Sequence, residues 1–423
     1  MKIVISALFS FFTLCAFAQK DTTQQVIPGR KNSKHQQQKP YVILISADGF
    51  RYDYAQKYNA AHLLSLANSG VSAASMIPSY PSTTFPNHYT LITGLYPSHH
   101  GIVGNQFYDP KQKRAYYYKS NTTTEAVWYG GTPLWVLAEQ QHMLTASFYW
   151  VGSEAAIQGV LPTYYYHYNE AIKIDQRLQI VKNWLNMPAD KRPHFISLYF
   201  PEVDHISHKK GPDAPETAQA VHFIDSAVYE LTRIVKKTGL KVNYIFVSDH
   251  GMTQIPTTDP IATPAVIDTA NFIISGEGVL VNVYAKKGHE GAIATTYQQL
   301  IKGAKDYNVY LKSNVPAKLH YGAADDRHGV IGDIVMIPHY PHVFKLNNKW
   351  VDPGCHGYDP FLIKDMHATF YAWGPNFKKH LKVPSFQNVN VYPIVTKVLG
   401  LKNTEKIDGT SGIANKIVSP PAF

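Results

Sequence analysis

Tyr41-Val-Ile-Leu-Ile-Ser-Ala-Asp-Gly49 is a continuous apolar run, rich in branched residues, that stops at a carboxylate and a glycine. A run of this length and composition predicts a strand buried on both faces, with Asp48 delivered to its C-terminal end. The pattern recurs twice. His194-Phe-Ile-Ser-Leu-Tyr-Phe200 leads to Asp204, His205 and His208, and Asn243-Tyr-Ile-Phe-Val-Ser248 leads to Asp249-His250-Gly251. Helical apolar stripes precede both: Ile174, Leu178, Val181 and Leu185, then Ala220, Phe223, Ile224, Ala227 and Leu231. Ala60 to Asn68 predicts a further helix, closed by Gly70. Strands alternating with helices predict an α/β fold whose largely parallel central sheet lies between helix layers. Ligands of such sheets sit beyond the carboxyl ends of the strands, where three strands here each bring an aspartate.

Carboxylate oxygens mixed with imidazole nitrogens, without thiolates, suit zinc or a similar divalent ion. Asp48, Asp204, His208, Asp249 and His250 make the set, and His356, in the glycine-flanked loop Gly-Cys-His-Gly-Tyr-Asp-Pro360, is a sixth candidate. Any one of the chain's 20 histidines taken alone reads as a packed or surface residue. A candidate nucleophile stands between these strands, in Ser79-Tyr-Pro-Ser-Thr-Thr-Phe-Pro-Asn-His-Tyr-Thr-Leu-Ile-Thr-Gly94. Pro86 begins an apolar-periodic run, so Thr84 falls where a helix starts. Unpaired N–H groups and the positive end of the helix dipole meet there. Taken alone, Thr84 reads as an ordinary helix cap.

The chain opens with Met-Lys, an apolar run from Ile3 to Phe17 and the closing Ala16-Phe17-Ala18, the pattern of a cleavable signal peptide over residues 1–18. Cleavage after Ala18 would make the protein secreted or periplasmic. The run is too short to span a membrane, and no later stretch reaches the roughly 20 residues required. Residues 19–39 are polar and Gln-rich and read as a disordered leader. The remainder, 40–423, reads as one catalytic domain, with a change of texture at about 265–350 that suggests a small α+β insertion. Of the two cysteines, Cys15 lies in the signal and Cys355 is alone, so no intramolecular disulfide can form. The formal charge of +10 is scattered rather than gathered into a stripe, so no specific nucleic-acid binding is expected.

Together Thr84-Phe-Pro-Asn-His-Tyr, Thr93-Gly-Leu-Tyr-Pro, Gly104-Asn105, Asp204 with His208, Ser248-Asp-His-Gly-Met and His356-Gly-Tyr-Asp resemble the nucleotide pyrophosphatase/phosphodiesterase family of the alkaline phosphatase superfamily. The resemblance runs from about Tyr41 to Ile394 and implies an alkaline phosphatase-like fold with two zinc ions. It implies one zinc on Asp204, His208 and His356, and the other on Asp48, Asp249, His250 and the Thr84 hydroxyl. Thr84 would form a covalent phospho-threonine, and Asn105 would direct its amide at a phosphoryl oxygen, assisted by the backbone N–H after Thr84. Ser207 stands where family members often have glycine, and neighbouring His205 is an alternative ligand.

The charges implied, two dications against three aspartates and an alkoxide, cancel, which suits a singly charged diester better than a dianionic monoester. No Lys or Arg occurs from Tyr58 to Pro110. Related monoesterases carry a Lys-x-Arg pair where this chain reads Trp150-Val-Gly-Ser-Glu154, and the Glu154 carboxylate would repel a dianion. By resemblance, Phe85, Tyr168 and Tyr199 form a slot for a nucleobase, with Trp150 and Glu154 beside it. Each aromatic taken alone is equally a core residue. The expected substrate is thus a small nucleotide or other phosphodiester. The alternatives are a choline-lipid-type phosphodiesterase, a phosphomonoesterase of the same superfamily and, more distantly, a non-catalytic surface-binding protein.

Overall fold

The computed structural model describes residues 22–346 and 351–419. At its centre lies a nine-stranded sheet, in the spatial order Gln24–Val26, Tyr164–Tyr166, Thr145–Phe148, Phe195–Phe200, Tyr41–Ala47, Val242–Val247, Phe370–Trp373, Val71–Ala73 and Leu381–Val383. The strands from Tyr164–Tyr166 to Val242–Val247 run parallel to one another. Phe370–Trp373 pairs antiparallel on both its sides, and Gln24–Val26 pairs antiparallel at the other edge. The sheet is therefore mixed, parallel in the middle where the site is built.

Alternation along Tyr41–Ala47 explains why Val42 to Ile45 are all apolar. Val42 and Leu44 enter one core, with Leu91 and Ile92 of helix Thr84–Thr93 and Ile394 of helix Val391–Leu399. Ile43 and Ile45 enter the opposite core, against Leu178 and Val181 of helix Ile174–Leu185 and Ile224 and Leu231 of helix Pro215–Lys236. A strand buried on both faces takes a polar side chain only where a buried partner meets it, as His88 Nε2 meets Ser46 Oγ at 2.8 Å. Phe223, expected in the second stripe, is 39% exposed. It lies about 100° around the helix from the buried Ile224, with Val221 and Val228 taking the inner positions.

One other expectation changes. The signal peptide lies outside the described residues, but from Thr22 onward the supposed leader is ordered. Gln24–Val26 adds an edge strand to Tyr164–Tyr166. Asn32 is buried: its amide donates to the carbonyls of Ala189 (2.9 Å) and Arg192 (2.7 Å), and its oxygen accepts from Leu144 N–H (2.7 Å). Polar composition misled here because this segment is held by hydrogen bonds rather than by apolar burial. Within the stretch expected as an insertion, Phe272–Glu277, Leu280–Ala285, Ile334–Pro338 and Tyr307–Leu311 form a four-stranded antiparallel sheet. Helix Ala292–Gly303 covers it through Leu300 in a separate small core. Among the described residues no helix is long and apolar enough to cross a membrane.

Asn32→Ala should lower unfolding stability by about 2–3 kcal/mol in urea titration, because one substitution strands two carbonyls and one N–H. A loss below about 0.5 kcal/mol would return residues 22–39 to the status of a loose leader.

Candidate metal and nucleophile centre

The three parallel strands Tyr41–Ala47, Phe195–Phe200 and Val242–Val247 end side by side, and the chain beyond each carries the site. Asp48 follows the first directly, and Asp249 and His250 follow the third after Ser248. The second feeds helix Glu202–Lys210, where the i, i+4 spacing sets Asp204 and His208 on one face. Close approach of these segments requires glycine at two points. Gly49 has φ +67°, and a Cβ there would lie 3.0 Å from Asp204 Cα. At Gly354 a Cβ would lie 2.0 Å from the Ser207 carbonyl oxygen, so only glycine lets the His356 loop reach the helix.

Each imidazole is aimed by its backbone partner. Nδ1 lies 2.8 Å from the Gly354 carbonyl for His208, 2.8 Å from the Gly251 carbonyl for His250 and 3.0 Å from the Ser82 carbonyl for His356. An Nδ1–H donated to a carbonyl turns the Nε2 lone pair toward the centre, as in metal sites. Nε2 of His208 and His356 stand 2.9 Å apart, and both lie near Asp204 Oδ1, at 3.4 and 3.6 Å. Nε2 of His250 lies 2.9 Å from Asp249 Oδ2 and 3.4 Å from Asp48 Oδ1. Asp48, Asp249 and His250 offer ligand atoms mutually within 4.8 Å, as do Asp204, His250 and His356. His250 thus stands between the two groups, its ring stacked on His356 at 3.6 Å.

Asp48 Oδ1, Asp204 Oδ1 and Asp249 Oδ2 are buried without a hydrogen-bond donor. Such oxygens are costly unless a cation satisfies them. Burial first, then Asp249 and Asp204, push the Asp48 carboxyl well above the usual range. Burial would raise Asp249 as well, but His250 and His88 hold it well below that range. Burial and the neighbouring His250 and His208 push His356 well below the ordinary imidazole value. The donor set and its orphaned oxygens fit divalent metal.

Thr84 begins helix Thr84–Thr93, capped by Thr83 in extended conformation, and its Oγ1 lies 3.2 Å from His250 Nε2. Asn105 is buried beside it, and its Oδ1 accepts the Phe85 N–H at 2.9 Å. This differs from the expectation for the backbone N–H after Thr84, which is already engaged by Asn105 Oδ1. His205 is excluded as an alternative ligand, since its side chain is 49% exposed and faces Glu170 at 3.8 Å.

The expected substrate residues divide. Tyr168 is 46% exposed and its ring lies 6.2 Å from that of Tyr199, and Phe85 is half-buried against Tyr118 at 5.6 Å. Tyr199 donates its hydroxyl to Asp48 Oδ2 at 2.6 Å, so it orients a metal-site carboxylate as well. Trp150 is 2% exposed with its indole N–H on the His88 carbonyl, a supporting wall rather than an open stacking face. Glu154 accepts from the Tyr168 N–H at 3.0 Å and lies 2.7 Å from His167 Nδ1. Its carboxylate holds the Tyr168 loop instead of standing free to repel a phosphate.

His88, quoted only as part of a motif, proves to be central. It is fully buried, with Nε2 2.8 Å from Ser46 Oγ and Nδ1 3.0 Å from the Thr84 carbonyl and 3.3 Å from Asp249 Oδ2. Its i, i+4 spacing from Thr84 was the available signal. Ser82 was also missed: its hydroxyl donates to the Tyr358 carbonyl (2.7 Å) and accepts the Gly357 N–H (3.1 Å), tying the Thr84 loop to the His356 loop. No signal in the sequence marked it.

Residues 42–359 match the sequence profile of the family described as type I phosphodiesterase / nucleotide pyrophosphatase. The chain is similar to mouse ectonucleotide pyrophosphatase/phosphodiesterase family member 1, at 32% identity over 91% of this chain and 43% of that protein. It is 33% identical to the venom phosphodiesterase of Macrovipera lebetinus, over 90% of this chain and 46% of that protein. The chain thus spans a little under half the length of these curated relatives. Its fold is similar to the solved structure of murine ectonucleotide pyrophosphatase/phosphodiesterase 5, with a TM-score of 0.83, 27% identity, and coverage of 90% of this chain and all of that one. A further structure of that murine protein, an inactive threonine-to-alanine form in complex with AMP, also has a TM-score of 0.83, at 26% identity. The expected alkaline phosphatase-like fold is the one observed.

Asp48→Asn removes a carboxylate that burial and two neighbouring aspartates disfavour. A raised folded-state pKa means that ionising the group as pH rises above its unfolded value costs stability. In the presence of chelator the variant should therefore melt higher than the unaltered chain at pH 7. The rise in melting temperature that zinc brings to the unaltered chain should be much smaller in the variant. Identical zinc-dependent shifts in the two proteins would remove Asp48 from the ligand set.

Proposed function

The chain belongs to the type I phosphodiesterase / nucleotide pyrophosphatase family, and on that premise we propose that it hydrolyses phosphodiester or pyrophosphate bonds of nucleotides through a covalent phospho-threonine on Thr84. The observation that carries this reading is the position of Thr84 Oγ1, at a helix start and 3.2 Å from the histidine that stands between two ligand groups. A surface-binding protein has no use for a hydroxyl so placed.

Asp204, His208 and His356 would hold one zinc, and Asp48, Asp249, His250 and Thr84 the other. The pair supplies positive charge that lowers the pKa of the hydroxyl and stabilises the attacking and departing oxygens. Thr84 Oγ1 gives its proton to solvent and bonds to phosphorus opposite the departing oxygen. That oxygen leaves with the electron pair of the broken P–O bond and takes a proton from solvent. Water then bonds to phosphorus as the P–Oγ1 bond breaks, one water proton passes by way of solvent to Thr84 Oγ1, and the nucleotide is released. Asn105, its Oδ1 fixed by the Phe85 N–H, turns its amide hydrogens toward the phosphoryl oxygen. Phe85 and Tyr168, with Tyr199 behind, receive the base. Glu154 serves this slot by fixing Tyr168, which weakens the choline alternative, where a free carboxylate would be wanted. Export and cleavage after Ala18 would place this activity outside the cytoplasm.

Thr84→Ala should lose at least about three orders of magnitude in kcat on an aryl nucleotide diester. Its zinc content should stay close to that of the unaltered chain, because the aspartate and histidine ligands remain. Acid-quenched enzyme caught with substrate should carry the nucleotidyl mass on the peptide containing Thr84. An adduct elsewhere, or near-normal turnover by Thr84→Ala, would overturn the mechanism.

A further inference from the structure

The excess of 40 Lys and Arg over 30 Asp and Glu is dispersed along the sequence, but the fold gathers part of it at one end. Strands Phe195–Phe200, Tyr41–Ala47 and Val242–Val247 run parallel, so the segments that enter them lie together at the end of the sheet opposite Asp48, Asp249 and His250. Leu381–Val383 is entered from the same end. Its partner Val71–Ala73 pairs antiparallel with Phe370–Trp373, which itself pairs antiparallel with Val242–Val247. Onto this end come Lys236, Lys237 and Lys241, between helix Pro215–Lys236 and strand Val242–Val247, and Lys378 and Lys379, just before Leu381. Lys402 joins them, because its backbone N–H and carbonyl pair with the Gln141 side chain near the entrance of strand Thr145–Phe148.

All six lysines are exposed, and among the described residues none lies within ion-pairing distance of a carboxylate. The acidic groups nearby are engaged elsewhere. Asp190, in the loop entering Phe195–Phe200, lies 3.9 Å from Lys31, and Glu405 accepts the Thr132 N–H. Glu230, whose carboxylate feels Lys237, is held by Arg233 at 2.6 Å. Attraction to a helix C-terminus accounts for Lys236 and Lys237. That attraction fades within a turn, so it leaves Lys241, at the strand entrance, unaccounted for.

The loops that carry the six expose no large apolar or aromatic side chain. A single nucleic-acid strand would want rings for its bases to stack on, and phosphates read in register would want the bidentate fork of arginine. Lysines without either make a field of point charges, which suits the smeared negative charge of a bilayer containing anionic lipid. We propose that the protein docks by this end, reversibly and through charge, on an anionic lipid surface. The entrances of Val242–Val247 and Leu381–Val383 are three strand spacings apart, roughly 14 Å, so the contact is broad. Tyr41–Ala47 leads from the docked end to Asp48 over roughly 20 Å, which turns the candidate centre toward solution.

The test is sedimentation of the full chain with vesicles of phosphatidylcholine alone, or of phosphatidylcholine with about one third phosphatidylglycerol. Partition onto the anionic vesicles should exceed that onto the neutral ones at least about tenfold at about 0.1 M salt, and should fall to the neutral level at about 0.5 M. Lys236→Gln with Lys237→Gln, and separately Lys378→Gln with Lys379→Gln, should each lower it at least about tenfold, since one lysine near such a surface is worth about fivefold. Lys302→Gln with Lys305→Gln removes the same charge from exposed positions beside the second sheet, and should lower it less than about twofold. The two pairs at the basic end are made separately and their melting temperatures recorded, so that a variant that fails to fold leaves the other to be read. Equal binding to both kinds of vesicle, or equal losses from all three pairs, would overturn the proposal. Binding to duplex DNA in preference to the anionic vesicles would overturn it in favour of a nucleic-acid partner.

Discussion

Three carboxylates and three imidazoles converge at one edge of a sheet, and the protein has to keep them there. Asp48, Asp204 and Asp249 each present a buried oxygen that no protein donor reaches. In a medium of low dielectric such oxygens repel one another strongly, and only positive charge makes the arrangement tolerable. The strands cannot relieve the strain by sliding, because Tyr41–Ala47 is paired in parallel register on both sides and buried on both faces. Fold and metal chemistry are therefore coupled: the sheet supplies the rigidity that the charges oppose, and a cation relieves the opposition.

Around that centre the backbone does most of the aiming. Carbonyls of Ser82, Gly251 and Gly354 each take the Nδ1 of one histidine, and each comes from a different loop. Ser82 and His88 then lock the Thr84 loop and helix to the same centre, one through the His356 loop and the other through Ser46 and Asp249. Thr84 is consequently held from both sides of its own turn. Pre-organisation of this kind is what the proposed reaction would need, with a hydroxyl, two ligand groups and an amide already in place.

The second sheet adds a wall rather than a ligand. Its hairpin turn at Glu277 to Val279 meets Thr83 and Gly357, so a segment of different architecture completes the rim of a site made by the central sheet. Glu154 has the opposite fate. Its charge invites a role against phosphate, yet both oxygens are taken up by His167 and the Tyr168 backbone. A carboxylate so engaged acts through the loop that it holds.

From the sequence alone, the strands ending at Asp48, Phe200 and Ser248, the helix at Thr84 and the residue types of the centre were legible. Each rests on local physics: apolar runs that must be buried, a proline that permits a helix start, and carboxylates at strand ends. The ordering of residues 22–39 was not legible, because Asn32 is held by carbonyls more than 150 residues away that no composition reveals. Nor were the position of His250 between the two ligand groups, the engagement of the Phe85 N–H by Asn105, or the burial of Trp150. Those depend on distances between segments far apart in the chain. Sequence determines which groups are available and where strands and helices begin, whereas tertiary packing decides which lone pairs and N–H groups are left free, because each hydrogen bond made elsewhere removes one from the site.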